Sequence, residues 1–342
     1  MRNLVRREVH FRIASVAFIS LLSMFLLSGC ASLYKKPITQ YKEGVRDLGS
    51  IYLQHVDSFN SAQEDRKRIN LLTVLKVPDQ KFTSVRARFQ GTSETFLPGE
   101  HIEIRKEAFH VLDNYLSVLE AIAAGEDIDK MSLEVKGLGD DFSRLGKALG
   151  KIPSISMPSE ATQIFDKLPG YFQIAGAALK MIDSMYRSVL LRRTIEATQE
   201  PVRNLLVFLK NETAVLFSQN LKFYCINTRL LRKDFIEDPQ GVENQAIFYP
   251  VYELHRKYEA ITSQYSDAYR AYILTGDCLR MQKDCPKCHD VGNPAEVFDK
   301  ALAAYDALAK SLLKVDIKVL IASVKEFSGV AKELKEGWKR VQ

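Results

Sequence analysis

Cys278, Cys285, Cys288 and His289 lie close together in the sequence and offer four kinds of chemistry. Residues 285–289 read Cys-x-x-Cys-His, which is the attachment pattern of a c-type haem. The same side chains could bind zinc, exchange electrons as a thiol–disulfide pair, or close a loop as a structural disulfide. The choice among these depends on the compartment and on the helices that position the cysteines.

The haem alternative, on Cys285, Cys288 and His289, is weakened by the residues that follow. No Met or His occurs after His289, so a sixth iron ligand does not come from downstream. A bundle cytochrome of the c-prime kind needs no such ligand, but it carries its motif on a helix. Pro286 inside the motif and Pro294 after it predict a loop instead. Haem c is therefore kept as an alternative, and no other cofactor is expected.

Zinc binding and thiol–disulfide exchange fit the spacing less well. One zinc ion would have to accept two adjacent side chains, since His289 directly follows Cys288. An oxidising compartment would also remove the thiolates that zinc needs. Thioredoxin-like enzymes place Cys-x-x-Cys at the start of a helix that follows a strand, and no strand pattern precedes Cys285. We therefore expect no metal site.

A structural disulfide is the prediction, with Cys278, Cys285, Cys288 and Cys225 as candidates. Exported cysteines usually pair, whereas cytosolic thiols usually stay reduced. If the two helices before the loop form a straight hairpin, Cys225 lies about 27 Å from the level of Cys278. Disulfides need Cα atoms within about 7 Å, so the expected bond joins Cys278 to Cys285 or Cys288. Cys225 would then be a buried apolar residue or would take the remaining loop cysteine.

The first thirty residues predict export and a lipid anchor. Four arginines precede an apolar run from Ile13 to Leu27, which at about 22 Å is too short to span the roughly 30 Å hydrocarbon core. The run ends in Leu27-Ser28-Gly29-Cys30, which resembles the lipobox of bacterial lipoproteins. This resemblance implies that residues 1–29 are a signal peptide removed before Cys30. It also implies diacylglycerol on the Cys30 sulfur and a fatty acid such as palmitate on the new amino terminus.

The resemblance to lipoproteins also implies a location. Residue 31 is Ala, and in lipoproteins of double-membraned bacteria an Asp at that place commonly favours the inner membrane. Its absence indicates the outer membrane, with the body facing the periplasm. Residues 1–29 hold four basic residues and one acid, so their removal lowers the net charge from +6 to +3. Nucleic acid is therefore not an expected partner; the membrane and another envelope protein or cell-wall component are.

Heptad periodicity predicts the helices that position these residues, because apolar residues recur at alternating spacings of four and three. The first seam comprises Ile38, Tyr41, Val45, Leu48, Tyr52, His55 or Val56, Phe59 and Ala62. It breaks at Arg66, resumes at Ile69 and Leu72, and stops at Pro78. The second seam comprises Ile247, Val251, Leu254, Tyr258, Ile261, Tyr265, Ala268 and Tyr272.

The whole pattern predicts an all-α fold, an elongated antiparallel helical bundle with long coiled-coil-like helices. Pro169 and Pro201 are expected to kink or divide one long helix, and Pro250 to mark a first turn. The later helices are predicted over 100–124, 127–149, 160–236, 250–278, 294–314 and 316–340, and the segment 168–182 is expected in the core. The predicted organisation is a signal peptide (1–29), a lipidated tether (30–36) and one periplasmic domain (37–342).

No motif in the sequence indicates catalysis. It contains no Gly-x-Ser-x-Gly, no His-Glu-x-x-His and no phosphate-binding glycine loop followed by Lys. His55 falls on the first seam, where a place at the edge of the core is expected rather than a catalytic role. The expectation is a membrane-anchored binding or scaffold module and not an obvious enzyme. Two alternatives stay open, a c-type cytochrome and an envelope hydrolase whose active site follows no motif.

Overall fold

The structure, a computed structural model, is helical in the part of the chain that it describes. The described residues are 2–76, 99–125, 128–149, 168–170, 172–173, 187–231, 245–262, 294–314 and 316–339. Nearly all of these residues lie in helices, and none of them lies in a strand. The predicted all-α fold is therefore confirmed for them.

Seven helices account for almost all of the described residues. They are α1 (Arg2–Lys76), α2 (Gly99–Ala124), α3 (Ile128–Leu149), α4 (Arg187–Leu231), α5 (Gln245–Thr262), α6 (Pro294–Lys314) and α7 (Ile317–Lys339). The observed bounds of α2, α3, α6 and α7 agree with the predicted ones to within one residue. The end of α2 has a clear local cause. Gly125 takes the left-handed φ of +75° that favours glycine, and its N–H donates to the Ala121 carbonyl at 2.9 Å.

Two prolines lie inside helices of the described part of the chain, where the sequence predicts a kink or a division at Pro201 and a first turn at Pro250. Pro201 lies inside α4, so the helix is not divided there. Pro250 lies inside α5, which begins at Gln245, so the predicted first turn at this proline is wrong. A proline removes a single helical N–H donor. Val202 and Val251 beside the two prolines are buried, so packing holds both helices together across the interruption.

The chain separates into two compact units. Unit 1 comprises Met1–Arg46, Lys106–Leu206 and Lys300–Gly329. Unit 2 comprises Asp47–Arg105, Val207–Asp299 and Val330–Gln342. Both heptad seams are buried at every position whose side chain is described, which confirms the periodicity within each unit. In the second seam these positions are Val251, Leu254 and Tyr258, and the others lie outside the described side chains.

Aromatic side chains fill the core of unit 1. Tyr41 of α1 packs against Tyr305 of α6 and Phe327 of α7, with ring centroids 6.2 and 5.2 Å apart. The Phe327 ring lies directly on the α1 backbone at Gly44, where a Cβ atom would stand 2.5 Å from the ring carbon Cε1. Glycine at this position therefore lets α7 approach α1 closely.

The segment 168–182 contributes to the same core where it is described. Phe172 stacks on Phe142 of α3 with centroids 6.1 Å apart and planes 8° from parallel. Leu168 is buried as well. The prediction that this segment belongs to the core holds at these residues, and most of the remainder lies outside the described part.

The packed part of α1 reaches back to Ala31. Ala31, Tyr34 and Ile38 are all buried, and the Tyr34 hydroxyl donates to the Ser311 carbonyl of α6 at 3.0 Å. Pro37 lies within α1 and does not end it. The sequence predicts residues 30–36 as a tether; residues 31–36 are helical, and Ala31 and Tyr34 among them are buried.

Candidate functional site

A groove in unit 2 brings charged and apolar side chains together. It lies between the last part of α1 and the middle of α5 and has a volume of about 470 Å³. The α1 side is formed by Asp65, Arg68, Leu71 and Leu72, and the α5 side by Pro250, Glu253, Leu254 and Lys257. Leu71 is 52% exposed although it is a large apolar residue.

A buried carboxylate anchors the polar end of this groove. Asp65 is only 5% exposed. Its Oδ2 accepts hydrogen bonds from Lys257 Nζ at 2.5 Å and from the Tyr258 hydroxyl at 3.1 Å. Lys257 Nζ also donates to Ser61 Oγ at 2.9 Å, and Asn227 Nδ2 of α4 donates to the Tyr258 hydroxyl at 2.7 Å. Three helices therefore hold the carboxylate in one geometry.

Helical spacing explains why an acid occupies this buried position. Asp65 follows Ala62 by three residues and precedes Ile69 by four, so it takes a place in the seam where an apolar residue is expected. The sequence predicts the break at Arg66, one residue later, and so misses Asp65. The Arg66 guanidinium instead lies 5.5 Å from the ring centroid of Phe223. The signal that would find the site is a charged residue at seam spacing on α1 together with the seam tyrosine on α5.

The electrostatics of the groove favour hydrogen bonding rather than nucleophilic chemistry. Burial raises the pKa of Tyr258, and the negative charge of Asp65 raises that pKa further. The phenol therefore stays protonated and donates to Asp65. The arrangement offers a fixed carboxylate and an ammonium group beside leucine side chains. Such a combination of polar anchors and apolar surface is suited to binding.

Two asparagines of α4 donate hydrogen bonds to backbone carbonyls of α1. Asn220 Nδ2 donates to the His55 carbonyl at 2.9 Å, and Asn227 Nδ2 donates to the Ala62 carbonyl at 2.8 Å. The His55 side chain has no exposed surface and meets the Phe217 ring edge-on at 5.6 Å. Burial lowers the pKa of His55 to about 3. His55 is thus a core residue, deeper than the predicted place at the edge of the core.

The residues that the sequence singles out are not assembled into a site by the described part of the chain. Cys30 falls within α1, and its side chain lies outside the described part. Cys278, Cys285, Cys288 and His289 lie outside the described residues, so the haem alternative and the loop staple stay predictions. Cys225 lies in α4 and has no exposed surface.

Two negative findings concern the described residues. No group of three or more His, Cys, Asp or Glu side chains there is placed to hold a metal ion. None of the described helices has both the length and the apolar character needed to cross a membrane. The chain matches no protein-family model, no curated protein and no solved structure.

Proposed function

We propose that this chain is a lipid-anchored lipoprotein of the bacterial outer membrane whose periplasmic helical body binds a partner through the groove of unit 2. The observation that carries the binding function is the juxtaposition of buried Asp65 and its lysine with exposed Leu71. A buried carboxylate costs several kcal/mol to desolvate unless it is well paired. A buried carboxylate beside an apolar groove is expected if the groove binds a partner, because the charge then contributes to recognition of that partner. The proposed role is binding rather than catalysis.

The groove fits an amphipathic segment of another envelope protein. Leu71 is exposed, and the mostly buried Leu72 and Leu254 also line the groove, so Leu71 would meet the apolar stripe of a helix bound there. Arg68 and Glu253 are exposed beside it and present both signs of charge. A partner segment would therefore carry charged residues of both signs flanking its apolar stripe. Such charges favour one register of the segment over others.

Site-specific photocrosslinking tests the groove directly. A photoreactive phenylalanine replaces Leu71 in the full chain, expressed in cells that export and acylate it. We expect an adduct with one protein partner that carries the amphipathic segment. Val215 on α4 is the matched control, because it is 54% exposed and does not line the groove.

A charge reversal distinguishes specific binding in the groove from chance contact of another protein with Leu71. Arg68→Glu alters an exposed side chain of the groove and leaves the leucines in place. We expect it to reduce the Leu71 adduct strongly while the helical circular dichroism is unchanged. An adduct of equal yield at Leu71 and Val215, or one that Arg68→Glu leaves unaltered, would contradict the groove as the binding site.

The intact mass of the mature protein tests the anchor. What supports the anchor is the lipobox at Leu27-Ser28-Gly29-Cys30. We expect a chain that begins at Cys30 and carries acyl chains, and we expect Cys30→Ser to leave the signal peptide attached. The same mass spectrum tests the haem alternative, since covalent haem on Cys285 and Cys288 would add its mass. The purified protein would then also be coloured. A mass without acyl chains would refute the anchor.

We also propose that the cysteines of unit 2 form a structural disulfide. The support comes from export, which the lipobox implies. The predicted bond joins Cys278 to Cys285 or Cys288, and Cys225, which has no exposed surface, stays a buried thiol or takes the remaining loop cysteine. Peptide mapping without reduction identifies the pair. Free thiols at all four positions would disprove the bond.

A further inference from the structure

The end of unit 1 next to Cys30 has no free linker between the anchor residue and the packed bundle. Ala31 is 3% exposed and Tyr34 is 4% exposed, and the Tyr34 hydroxyl is bonded to α6. Each helical residue advances about 1.5 Å along the axis, so Ala31 lies within about 2 Å of the Cys30 level. Acyl chains on Cys30 would therefore hold this end of unit 1 at the membrane surface.

The helix directions place the start of α7 at the same end. Tyr34 contacts Ser311 and Tyr41 contacts Ala301, so α6 runs antiparallel to α1. The helix α7 begins at Ile317, three residues after α6 ends, and Glu326 pairs with Lys300 at the other end of α6. Consequently α7 runs parallel to α1, and its first turns lie beside Ala31.

Three large apolar side chains are exposed at this end, one on α1 and two in the first turns of α7. Leu33 and Val319 are each 55% exposed, and Ile321 is 45% exposed. Leu33 lies eight residues before Tyr41, and Ile321 lies six residues before Phe327, which Tyr41 contacts. At about 1.5 Å per residue, the two apolar side chains lie at levels within about 3 Å of each other. Val319 lies eight residues before Phe327 and therefore at the level of Leu33. All three side chains lie within about one and a half turns of the Cys30 level, and we call them the rim.

Lysines surround this rim. Lys35 and Lys36 of α1, Lys310 of α6 and Lys318 of α7 are all exposed. Asp316 is exposed at the start of α7, and Glu120 of α2 is bound by Lys42. Basic side chains close to a lipid surface are attracted by anionic headgroups. Among the described side chains of this end, exposed basic groups outnumber exposed acids, which is complementary to an anionic phospholipid surface.

We propose that the rim of unit 1, formed by Leu33, Val319 and Ile321 with the surrounding lysines, docks on the phospholipid surface into which the acyl chains of Cys30 insert. This inference rests on the proposed lipid anchor. The apolar side chains enter the headgroup region, and the lysines contact anionic headgroups. The acyl chains and the rim together fix the direction of α1 relative to the membrane, which acyl chains alone would leave free.

Fluorescence quenching by brominated lipids tests the docking. The full acylated chain carries Trp338→Phe, which removes its single tryptophan, and either Leu33→Trp or Ile321→Trp. Val215→Trp is the matched control, since Val215 is equally exposed but belongs to unit 2. The proteins are reconstituted in vesicles of phosphatidylethanolamine and phosphatidylglycerol with bromine near the headgroup end of the acyl chains.

We expect quenching and a blue-shifted emission for the tryptophans introduced at 33 and 321, and neither for the one at 215. Adding Lys35→Glu and Lys36→Glu should reduce the quenching while the protein stays anchored. Equal signals at 33 and 215 in a protein whose intact mass shows acyl chains would overturn the docking and leave the anchor standing. A mass without acyl chains would overturn the anchor, and the docking with it.

Discussion

The two units bury different kinds of polar side chain. Among the described residues, the buried polar side chains of unit 1 other than tyrosines are hydroxyls, namely Thr194, Thr198 and Ser311. Unit 2 also buries two hydroxyls, Thr213 and Thr228, but it adds the ionisable side chains of His55, Asp65 and Arg105 and the amides of Gln63, Asn220 and Asn227. The Arg105 side chain is 3% exposed and pairs with Glu212 of α4, its Nε donating at 2.9 Å.

This difference indicates that the units meet different demands. In unit 1 the hydroxyls of Tyr115, Tyr305 and Thr198 bond one another at 3.0 and 2.8 Å, so neutral groups specify the packing. Ionised groups buried in unit 2 carry a desolvation cost that neutral groups avoid. Asp65 alone of these groups lines the groove, so specificity of the proposed binding is a reason to retain that charge. The contrast between the units can be tested by substitutions, taken here from the largest expected effect to the smallest.

The buried ion pair of unit 2 should show the largest effect. Glu212→Gln removes the charge that compensates Arg105, so we expect the free energy of unfolding to fall by about 3 kcal/mol. Urea denaturation followed by circular dichroism measures this loss, and hydrogen exchange locates it in α2 and α4. A loss below about 1 kcal/mol would mean that this pair behaves like one on the surface.

The buried His55 should make the protein sensitive to acid. Because burial lowers its pKa to about 3, the unfolded chain binds more protons between that pH and the ordinary pKa of about 6.5. Stability is therefore fully present above pH 6.5 and falls as the pH drops, by about 2 kcal/mol at pH 5. In the variant His55→Phe, the difference between the free energies of unfolding at pH 7 and at pH 5 should be smaller than in the wild type. The control His110→Gln, at an exposed histidine, should retain the wild-type dependence.

Removing one tyrosine hydroxyl from each unit compares how much a hydrogen bond to a carboxylate and one between hydroxyls contribute to the free energy of unfolding. Tyr258→Phe leaves Asp65 without one donor, and we expect a loss of about 1.5 kcal/mol in the free energy of unfolding. Tyr115→Phe interrupts the neutral hydroxyl network of unit 1, where about 1 kcal/mol is expected. Chemical denaturation of both variants in one buffer gives the ranking. A larger loss for Tyr115→Phe would reverse the contrast between the units.

The exposed ion pair of unit 1 should show the smallest effect. Arg46 forms two hydrogen bonds with Asp113, at 2.5 and 3.0 Å, but its side chain is 57% exposed. We expect Asp113→Asn to lower the free energy of unfolding by less than about 1 kcal/mol, because solvent screens the pair. The same denaturation measured at high salt should reduce even this difference. A loss as large as that of Glu212→Gln would remove the distinction between buried and exposed pairs.

The helices could be predicted from the sequence, whereas the groove could not. Heptad spacing located the seams, and the flexibility of glycine located the end of α2 at Gly125, because both are local properties of the chain. The groove depends on Asp65 meeting Lys257 and Tyr258, which are about 190 residues away. A single charged residue in a seam is interpreted as a break in the apolar pattern as long as the partner helix is unknown. The prediction at Pro250 was wrong for a similar reason, since packing across a proline is not a local property.

The asparagine pair on α4 has a consequence for helix alignment. An apolar seam repeats every seven residues, so by itself it hardly distinguishes the native alignment of two helices from one displaced by a heptad. Asn220 and Asn227 are seven residues apart, as are the carbonyls of His55 and Ala62 that they bind. Backbone carbonyls recur along α1, so after a slide of one heptad the two asparagines would face the carbonyls of Ala62 and Ile69, and these bonds alone do not fix the alignment. The Asn227 amide also donates to the Tyr258 hydroxyl at 2.7 Å, and that hydroxyl donates to Asp65 of α1 at 3.1 Å. Because α1 offers this acid at a single position of its seam, the side-chain bonds hold α4 and α1 in one alignment.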